Sequence, residues 1–255
     1  MDLYEQAAGL ITGSNRLVVF TGAGISTESG ISDFRSPGGL WEKYDPSDFT
    51  FDKFIASEET RKRYWEMNQE LWTTILEAQP NAAHRSIAEL DKMGKLDCVI
   101  TQNIDGLHQR AGLSDDKVLE LHGTTLWVNC LSCAKRYPRQ EIHDRVESGD
   151  RAPCCDDCGG ILKPATISFG QAMPEKETRE AERKSAICDL FLVIGSSLVV
   201  YPAAQMPVVA KRAGAQLVII NLMSTPHDDY ADLIIHDKAG ETMAQILQRM
   251  RESYD

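Results

Sequence analysis

The sequence predicts an α/β protein with a doubly wound parallel sheet, into which a smaller domain is inserted. Five short segments are rich in Val, Ile and Leu, as strands are when helices cover both faces of a parallel sheet. They are residues 17–20, 98–101, 190–194, 217–221 and 233–235. Helix-like segments such as NAAHRSIAELDKMG and YPAAQMPVVAKRAG alternate with these strands. Such alternation is typical of a Rossmann-like fold.

Two blocks interrupt the alternation. Residues 41–79 contain eight of the 18 aromatic residues, which predicts a helical insert. Residues 125–164 contain most of the cysteines and show little hydrophobic periodicity. We therefore predict that residues 1–40, 80–124 and 165–255 form the sheet domain. Residues 41–79 and 125–164 then form the smaller domain.

The first strand ends in a glycine turn followed by a long loop. Gly22, Ala23 and Gly24 can bring backbone N–H groups close to a phosphate because they lack bulk. A dinucleotide fingerprint would need a third glycine where Thr27 stands, so a plain tight turn remains open. The loop beyond carries a carboxylate, an aromatic ring and a guanidinium in Asp33, Phe34 and Arg35. Loops of this length and composition are often functional, and this one is expected to fold over a bound dinucleotide.

Polar side chains follow the second strand. Gln102, Asn103 and Asp105 come directly after it, and ligands of open α/β sheets bind outside the carboxyl ends of the strands. Amide and carboxylate groups there suit a carboxamide or ribose hydroxyls, although turn formation by Asn and Asp is an equal alternative. His122 stands at what resembles another strand end, where a neutral imidazole could accept a proton. His84 and His143 are expected to have structural roles.

The cysteine spacing is the strongest chemical signal in the chain. Two Cys-x2-Cys pairs suit tetrahedral zinc, and four thiolates leave no open position, so the metal should be structural. The expected ligands are Cys130, Cys133, Cys155 and Cys158. Cys154 is a rival for Cys155, whereas Cys98 and Cys188 lie in apolar strands and are expected in the core.

Two later strands also end in small polar residues. Gly195, Ser196 and Ser197 follow one strand and Asn221 ends another. These residues could hold phosphate or ribose oxygens, although each alone is also an ordinary exit from a strand to a loop.

Composition limits the remaining possibilities. The 255 residues are 42% hydrophobic and 25% charged, as in ordinary globular proteins. A net charge of −11 argues against direct nucleic-acid binding, which requires clustered Lys and Arg. No apolar run approaches the roughly 18 residues of a membrane helix, and the N-terminus has no signal-peptide core. We expect a cytoplasmic protein that does not bind membranes.

Together the motifs resemble those of the sirtuins, which are NAD-dependent protein lysine deacylases. The matching segments are TGAGISTESGISDFRSPGGLW, TQNIDGLHQRAG, ELHG, the paired Cys-x2-Cys, FGQAMP, GSSLVVYPA and VIIN, in family order over nearly the whole chain. The resemblance implies NAD as a co-substrate, a structural zinc ion and acyl-lysine proteins or peptides as partners. It also implies that the sheet domain binds NAD and that the loop after the glycine turn closes on it.

The resemblance assigns roles to individual residues. Near the glycine turn, the expected NAD contacts are Gly22, Ala23, Gly24, Thr27, Phe34 and Arg35. Around the nicotinamide they are Gln102, Asn103, Ile104 and Asp105, with Asp105 accepting from the carboxamide. Along the phosphates and adenosine they are Gly195, Ser196, Ser197, Asn221, Leu222 and Ala239.

The implied reaction consumes NAD. The acyl oxygen attacks the nicotinamide ribose, nicotinamide leaves, and His122 acts as the general base that activates a ribose hydroxyl. The substrate chain is expected to lie as a strand between residues 167–170 and 198–201, in contact with Ile167, Phe169, Gly170 and Val199.

The helical insert indicates which acyl group is removed. Sirtuins that remove succinyl or malonyl groups carry Tyr-x-x-Arg there, whereas this chain has Tyr64-x-x-Met67. A thioether lines an apolar pocket but cannot pair with a carboxylate, which predicts a preference for acetyl or other neutral acyl groups. Mono-ADP-ribosyl transfer and a non-catalytic NAD sensor remain as alternative functions.

Overall fold

A computed structural model of the chain describes residues 2–33 and 39–252, without the side chains of residues 40 and 41. The strands in chain order are β1 Leu17–Thr21, β2 Leu96–Thr101, β3 Val118–Glu120, β4 Gly123–Cys130, β5 Arg136–Pro138, β6 Leu162–Thr166, β7 Leu190–Ile194, β8 Gln216–Ile220 and β9 Leu233–Ile235. The five strands predicted from apolar runs are confirmed as β1, β2, β7, β8 and β9.

Helices surround and connect these strands. The α-helices are α1 Leu3–Gly13, α2 Leu40–Lys43, α3 Phe51–Ala56, α4 Glu58–Glu77, α5 Ala82–Lys92, α6 Leu107–Arg110, α7 Arg139–Glu147, α8 Glu175–Ile187, α9 Met206–Arg212 and α10 Ala239–Glu252. A 3₁₀ helix, Ala23–Ser29, also follows the first glycine directly, where the sequence suggested only a loop. In the described part of the chain, no helix is both long and apolar enough for a membrane span.

The large sheet has six parallel strands in the order β3-β2-β1-β7-β8-β9. From β1 the chain proceeds outward through β2 and β3, and then crosses back to β7 on the other side of β1. Strand order thus reverses between β1 and β7. In doubly wound sheets, ligands bind at this reversal, outside the carboxyl ends of the strands.

Alternate residues of each strand enter two separate cores. On β1, Leu17 and Val19 pack with α1, α5 and α10, whereas Val18 and Phe20 pack with α8 and α9. Both layers are fully buried, so β1 is apolar on both faces. A parallel sheet covered on both faces is rigid, and its loop ends are therefore well placed to hold a site.

The cysteine-rich block forms a second, antiparallel sheet of three strands in the order β5-β4-β6. Its core brings Trp65 of α4 against Val128, Tyr137, Ile142 and Leu162. The helical insert thus shares a core with the cysteine-rich block. The predicted helical content of residues 41–79 is confirmed by α2, α3 and α4.

Candidate functional site

Two glycine loops touch at the reversal of strand order. The Gly22 N–H donates to the Ile194 carbonyl at 3.2 Å, and the Gly24 N–H donates to the Gly195 carbonyl at 2.8 Å. A Cβ atom at Gly22 or Gly24 would lie 2.8 Å from the Gly195 carbonyl oxygen. From the sequence, we expected the N–H groups of Gly22 and Gly24 to face a phosphate. That expectation is wrong, because both N–H groups already donate to carbonyls within the protein. The glycines instead allow the loops after β1 and β7 to approach each other.

A buried polar cluster lies behind the glycine turn. The Ser26 hydroxyl donates to Asp105 Oδ2 at 2.8 Å, and Asn103 Nδ2 donates to the Ser26 Oγ atom at 3.1 Å. The Leu107 N–H donates to Asp105 Oδ1 at 2.9 Å. Burial raises the pKa of Asp105, and the hydrogen bonds from Leu107 and Ser26 oppose this rise. Sequence reasoning missed Ser26, because a serine behind a glycine turn looks like any other loop serine in the sequence.

His122 is held by one ring nitrogen. Its Nδ1 atom lies 3.0 Å from the Gln102 carbonyl oxygen, which can only accept, so the proton is on Nδ1. The Nε2 atom then carries the lone pair of the neutral ring. Burial lowers the pKa of His122 below its usual value, and the Gln102 carbonyl partly opposes this. His122 is therefore a neutral base at physiological pH.

Gln102 connects His122 with the loop after β7. Its Oε1 atom accepts from the Ser196 hydroxyl at 2.7 Å, and its N–H donates to the Thr21 carbonyl at 2.9 Å. Ser196 in turn accepts from the Leu198 N–H at 3.3 Å. The ends of β1, β2 and β7 thus converge on Gln102, as their parallel order predicts.

Other predicted NAD residues lie along the same edge of the sheet. Ala23, Ile104, Ser197 and Asn221 are half-buried, Ala239 is buried, and Thr27 and Leu222 are exposed. The Asn221 side chain donates to the Met223 carbonyl at 2.7 Å. Beside Ala239, the Gly240 N–H donates to Glu28 Oε1 at 2.7 Å, a contact that sequence reasoning also missed. Phe34 and Arg35 lie outside the described residues.

The predicted peptide-binding segment begins with a hydrogen bond to His122. The Ile167 N–H donates to the His122 carbonyl at 2.9 Å, which joins the two segments directly. Phe169 and Val199 are 47% and 44% exposed, and Gly170 is exposed too.

Tyr64 and Met67 lie in a packed cluster of the helical insert. Both are only 6% exposed and pack with Phe49 and Phe54. The Tyr64 hydroxyl lies 3.4 Å from Thr166 Oγ1, at the end of β6. Tyr64 therefore touches the strand that leads to Ile167.

Four thiols form a compact group in the small sheet. The Sγ atoms all lie within 4.8 Å of one another and belong to Cys130, Cys133, Cys155 and Cys158. Four sulfur donors at such distances fit one tetrahedral zinc ion. Cys154 is exposed and lies outside the group, which resolves the choice between Cys154 and Cys155. Cys98 and Cys188 are buried in the sheet core, as predicted.

The two histidines expected to be structural have structural contacts. His84 is fully buried near the start of α5, where its Nδ1 accepts from the Asn81 N–H at 3.4 Å. His143 on α7 is also buried, and its Nδ1 lies 2.7 Å from Gln69 Oε1 on α4. Both lie in packing contacts between elements.

Comparison with known proteins identifies the family. The profile of the Sir2 family matches residues 22–202. NAD-dependent protein deacetylase 1 of Bradyrhizobium diazoefficiens is 48% identical over 239 residues, which are 94% of this chain and 93% of that protein. NAD-dependent protein deacylase 2 of Archaeoglobus fulgidus is 43% identical over 251 residues, or 98% and 97% of the two chains.

Solved structures agree with this result. A structure of Sir2 with a deacetylated p53 peptide and 3′-O-acetyl ADP-ribose matches with a TM-score of 0.90 and 40% sequence identity. The match covers 97% of this chain and 98% of that one. The family profile, the sequence relatives and the fold agree over most of the chain's length, and the chain therefore belongs to the Sir2 family.

Proposed function

We propose that this protein is an NAD-dependent protein lysine deacylase. It removes acetyl or other neutral acyl groups from protein lysines and yields nicotinamide and O-acyl-ADP-ribose. The observation that carries this proposal is the hydrogen bond of His122, whose Nδ1–H donates to the Gln102 carbonyl and so leaves the lone pair on Nε2 to act as a base. Membership of the Sir2 family supports it, since the relatives are named NAD-dependent deacetylases and deacylases.

NAD lies along the carboxyl edge of the large sheet in this proposal. Asp105 and Asn103 hold the nicotinamide carboxamide, and Ser26 keeps both side chains in place through its two hydrogen bonds. The remaining NAD contacts are those predicted from the sequence, with Phe34 and Arg35 among them. Gly22, Gly24 and Gly195 contribute by letting the two loops meet.

His122 moves a proton at Nε2. Its neutral ring accepts the proton of a ribose hydroxyl, and the Gln102 carbonyl stabilises the imidazolium that forms. The lowered pKa of His122 keeps this base unprotonated at neutral pH.

The substrate chain binds as an added strand between residues 167–170 and 198–201. The exposure of Phe169 and Val199 supports this, because exposed apolar side chains that lie together often mark binding surfaces. Tyr64 and Met67 line the acyl pocket from the helical insert. With Met67 in place of an arginine, that pocket favours a neutral acyl group.

The four clustered cysteines hold a structural zinc ion. Bound there, zinc stabilises the small sheet and supplies no open position for water or substrate. We retain the predicted domains: residues 1–40, 80–124 and 165–255 bind NAD, and residues 41–79 and 125–164 form the small domain. The separation of the six-stranded and three-stranded sheets supports this division. The cytoplasmic location and the lack of nucleic-acid binding stay predictions.

The decisive experiment incubates the protein with NAD and acetyl-, propionyl- and succinyl-lysine peptides and identifies the products by mass spectrometry. We expect O-acetyl-ADP-ribose and a rate on acetyl-lysine that exceeds that on succinyl-lysine. The names of the relatives favour this outcome over mono-ADP-ribosyl transfer or a non-catalytic sensor. A product with ADP-ribose attached to protein, or a faster rate on succinyl-lysine, would contradict the proposal.

His122→Ala should lower kcat by about 10²–10⁴-fold while zinc content and thermal midpoint stay close to those of the parent. His143→Gln is the matched control, because it also removes a buried imidazole, but from the contact between α7 and Gln69 of α4. Equal activity in His122→Ala and the parent would exclude the assigned base.

A further inference from the structure

A fully buried lysine lies where the small sheet meets the catalytic loop. Lys163 belongs to β6, and only 1% of its surface is exposed. In residues 2–33 and 39–252, no carboxylate lies within ion-pair distance of its Nζ atom. Burial lowers the pKa of Lys163, and the nearby Tyr64 opposes this. An apolar side chain would fill the space at lower cost, so the ammonium group requires an explanation.

The ammonium group binds backbone close to its own position in the chain. Its Nζ donates to the Thr166 carbonyl at 2.5 Å and to the Pro164 carbonyl at 3.5 Å. The same atom lies 5.8 Å from the centre of the Tyr64 ring. Because the Tyr64 hydroxyl contacts Thr166 Oγ1, the lysine, the tyrosine and the threonine form one buried group. This group fixes the end of β6 against α4.

The end of β6 in turn contacts the backbone of the proposed base. Thr166 pairs with Gly123 across the small sheet. A Cβ atom at Gly123 would lie 2.0 Å from the Ala165 oxygen, so the two backbones are in direct contact. The Ile167 N–H then donates to the His122 carbonyl at 2.9 Å. The position of His122 therefore depends on the backbone from Ala165 to Ile167.

The same backbone continues into the proposed peptide-binding segment. Three residues after Thr166, the Phe169 carbonyl accepts from the Phe51 N–H at 2.9 Å, which ties the segment to α3. A shift at Thr166 would consequently move the base and the peptide-binding strand together. Neither the glycine loops nor the Ser26 cluster contacts this junction in the hydrogen bonds described above.

We propose that Lys163 is a positioning residue for deacylation. It holds the Thr166 carbonyl against Tyr64 and thereby sets the backbone that carries His122 on one side and the peptide-binding segment on the other. This inference rests on the proposed function.

Three variants test it kinetically. Lys163→Met removes the ammonium group at similar volume, Lys163→Arg keeps a cationic donor, and Lys176→Met is a control at an exposed lysine of α8. In Lys163→Met, kcat/KM for an acetyl-lysine peptide should fall at least about 10-fold, since small misplacements near a reacting centre are costly. The KM for NAD should change less than about twofold, because no hydrogen bond of Lys163 reaches a proposed NAD contact.

In Lys163→Arg, kcat/KM for the acetyl-lysine peptide should lie within about threefold of the parent value, because the side chain again donates to the Thr166 carbonyl. Unchanged peptide kinetics in Lys163→Met, or equal changes in the KM values for peptide and NAD, would overturn the inference. A loss of kcat with both KM values unchanged would equally overturn it if the zinc content falls in the same proportion, since that pattern reflects only a loss of folded protein.

Hydrogen exchange separates this inference from the proposed function. In Lys163→Met, amides of residues 165–170 and 122–124 should exchange about 10-fold faster than in the parent, while those of β7 stay the same. If the parent removes no acyl group but this pattern appears, the proposed function fails and the structural role of Lys163 stands. If exchange is unchanged, the inference fails whatever the activity.

Zinc content reports whether Lys163→Met retains the fold of the small sheet. If it does not fold, Lys163→Gln replaces it, since the shorter side chain loses the contact of Nζ with the Thr166 carbonyl and still carries a polar group. Faster exchange in the same two segments supports the inference, and unchanged exchange overturns it.

Discussion

At the scale of single residues, the protonation of His122 should govern the pH dependence of the reaction. Burial lowers its pKa below 6.5, and a general base works only when it is unprotonated. We therefore expect kcat/KM to rise with pH up to that lowered pKa and to be level above it. Initial rates on an acetyl-lysine peptide from pH 5 to 8 measure this profile.

A neighbouring carboxyl group provides the control for this profile. Glu120, two residues before His122, has its pKa raised to about 7, chiefly because it is buried. Replacing Glu120 by Gln should remove any change in kcat/KM near pH 7 and leave the rise in kcat/KM at lower pH unchanged. If that rise at lower pH disappears in Glu120→Gln, its assignment to His122 is wrong.

Gly195 tests the contact between the two glycine loops. Its φ is +64°, and a Cβ atom there would lie 2.2 Å from the Ile25 nitrogen. Gly195→Ala should therefore lower the free energy of unfolding by at least about 2 kcal/mol and weaken NAD binding. Urea denaturation and NAD titration measure the two effects.

Gly9→Ala is the matched control, because this helical glycine of α1 has no atom within 4 Å of a new Cβ. It should raise the free energy of unfolding by about 0.5–1 kcal/mol, as alanine does in helices. A Gly195→Ala protein as stable as its parent would show that the loops do not meet as described.

At the scale of elements, the small sheet depends on more than its own strands. Arg139 of α7 is only 1% exposed and lies 5.2 Å and 5.4 Å from the ring centres of Trp65 and Trp72 on α4. Its Nη2 also donates to the Asn68 carbonyl at 3.0 Å. The helical insert is thereby fixed to the cysteine-rich block, so loss of order in one should affect the other.

Removing one thiol of the zinc group should therefore affect both elements. In Cys158→Ser, we expect less than one equivalent of zinc and rapid proteolysis within residues 125–164, because structural zinc sites contribute directly to folding. Acyl-lysine turnover should fall at least about 10-fold as α4 loses its support. Metal analysis, limited proteolysis and rate measurements check these outcomes.

Cys154→Ser is the matched control, since this exposed cysteine lies next to a ligand but outside the group. It should retain one equivalent of zinc and parental activity. Loss of zinc in Cys154→Ser, with retention in Cys158→Ser, would reverse the ligand assignment.

At the scale of the whole molecule, the parts predictable from sequence are those with a local signal. β1 and β7 are apolar on both faces, which directly indicates buried parallel strands. The three strands of the small sheet gave a weaker signal, because clustered cysteines and contacts with α4 support that sheet in addition to its apolar pattern.

Individual side chains were predictable only when their chemistry was unusual at their position. His122 and the four thiols stand out by type and spacing. Ser26 resembles any loop serine, and Lys163 resembles a surface lysine, because lysine is rarely buried. Ser26 has its role through Asp105, which is distant in the sequence. Lys163 has its role through the Thr166 carbonyl, a contact that exists only in the folded chain.

Two buried histidines should make the whole fold sensitive to acid. His84 and His108 have their rings 5.0 Å apart and are 0% and 2% exposed. Burial lowers the pKa of His84 to about 4 and that of His108 well below its usual value. Below pH 6.5 the unfolded chain therefore binds protons that the folded chain does not, and the free energy of unfolding falls as the pH falls.

Each histidine contributes up to about 1.4 kcal/mol per pH unit, so the pair should lower the free energy of unfolding by about 2 kcal/mol between pH 7 and 5.5. Urea denaturation at the two pH values measures this difference. His84→Gln should roughly halve it, whereas His236→Gln, at an exposed position, should leave it unchanged. Because the zinc ligands also take up protons, variants are compared at each pH. An identical decrease in His84→Gln and the parent would show that this buried pair does not set the acid sensitivity of the fold.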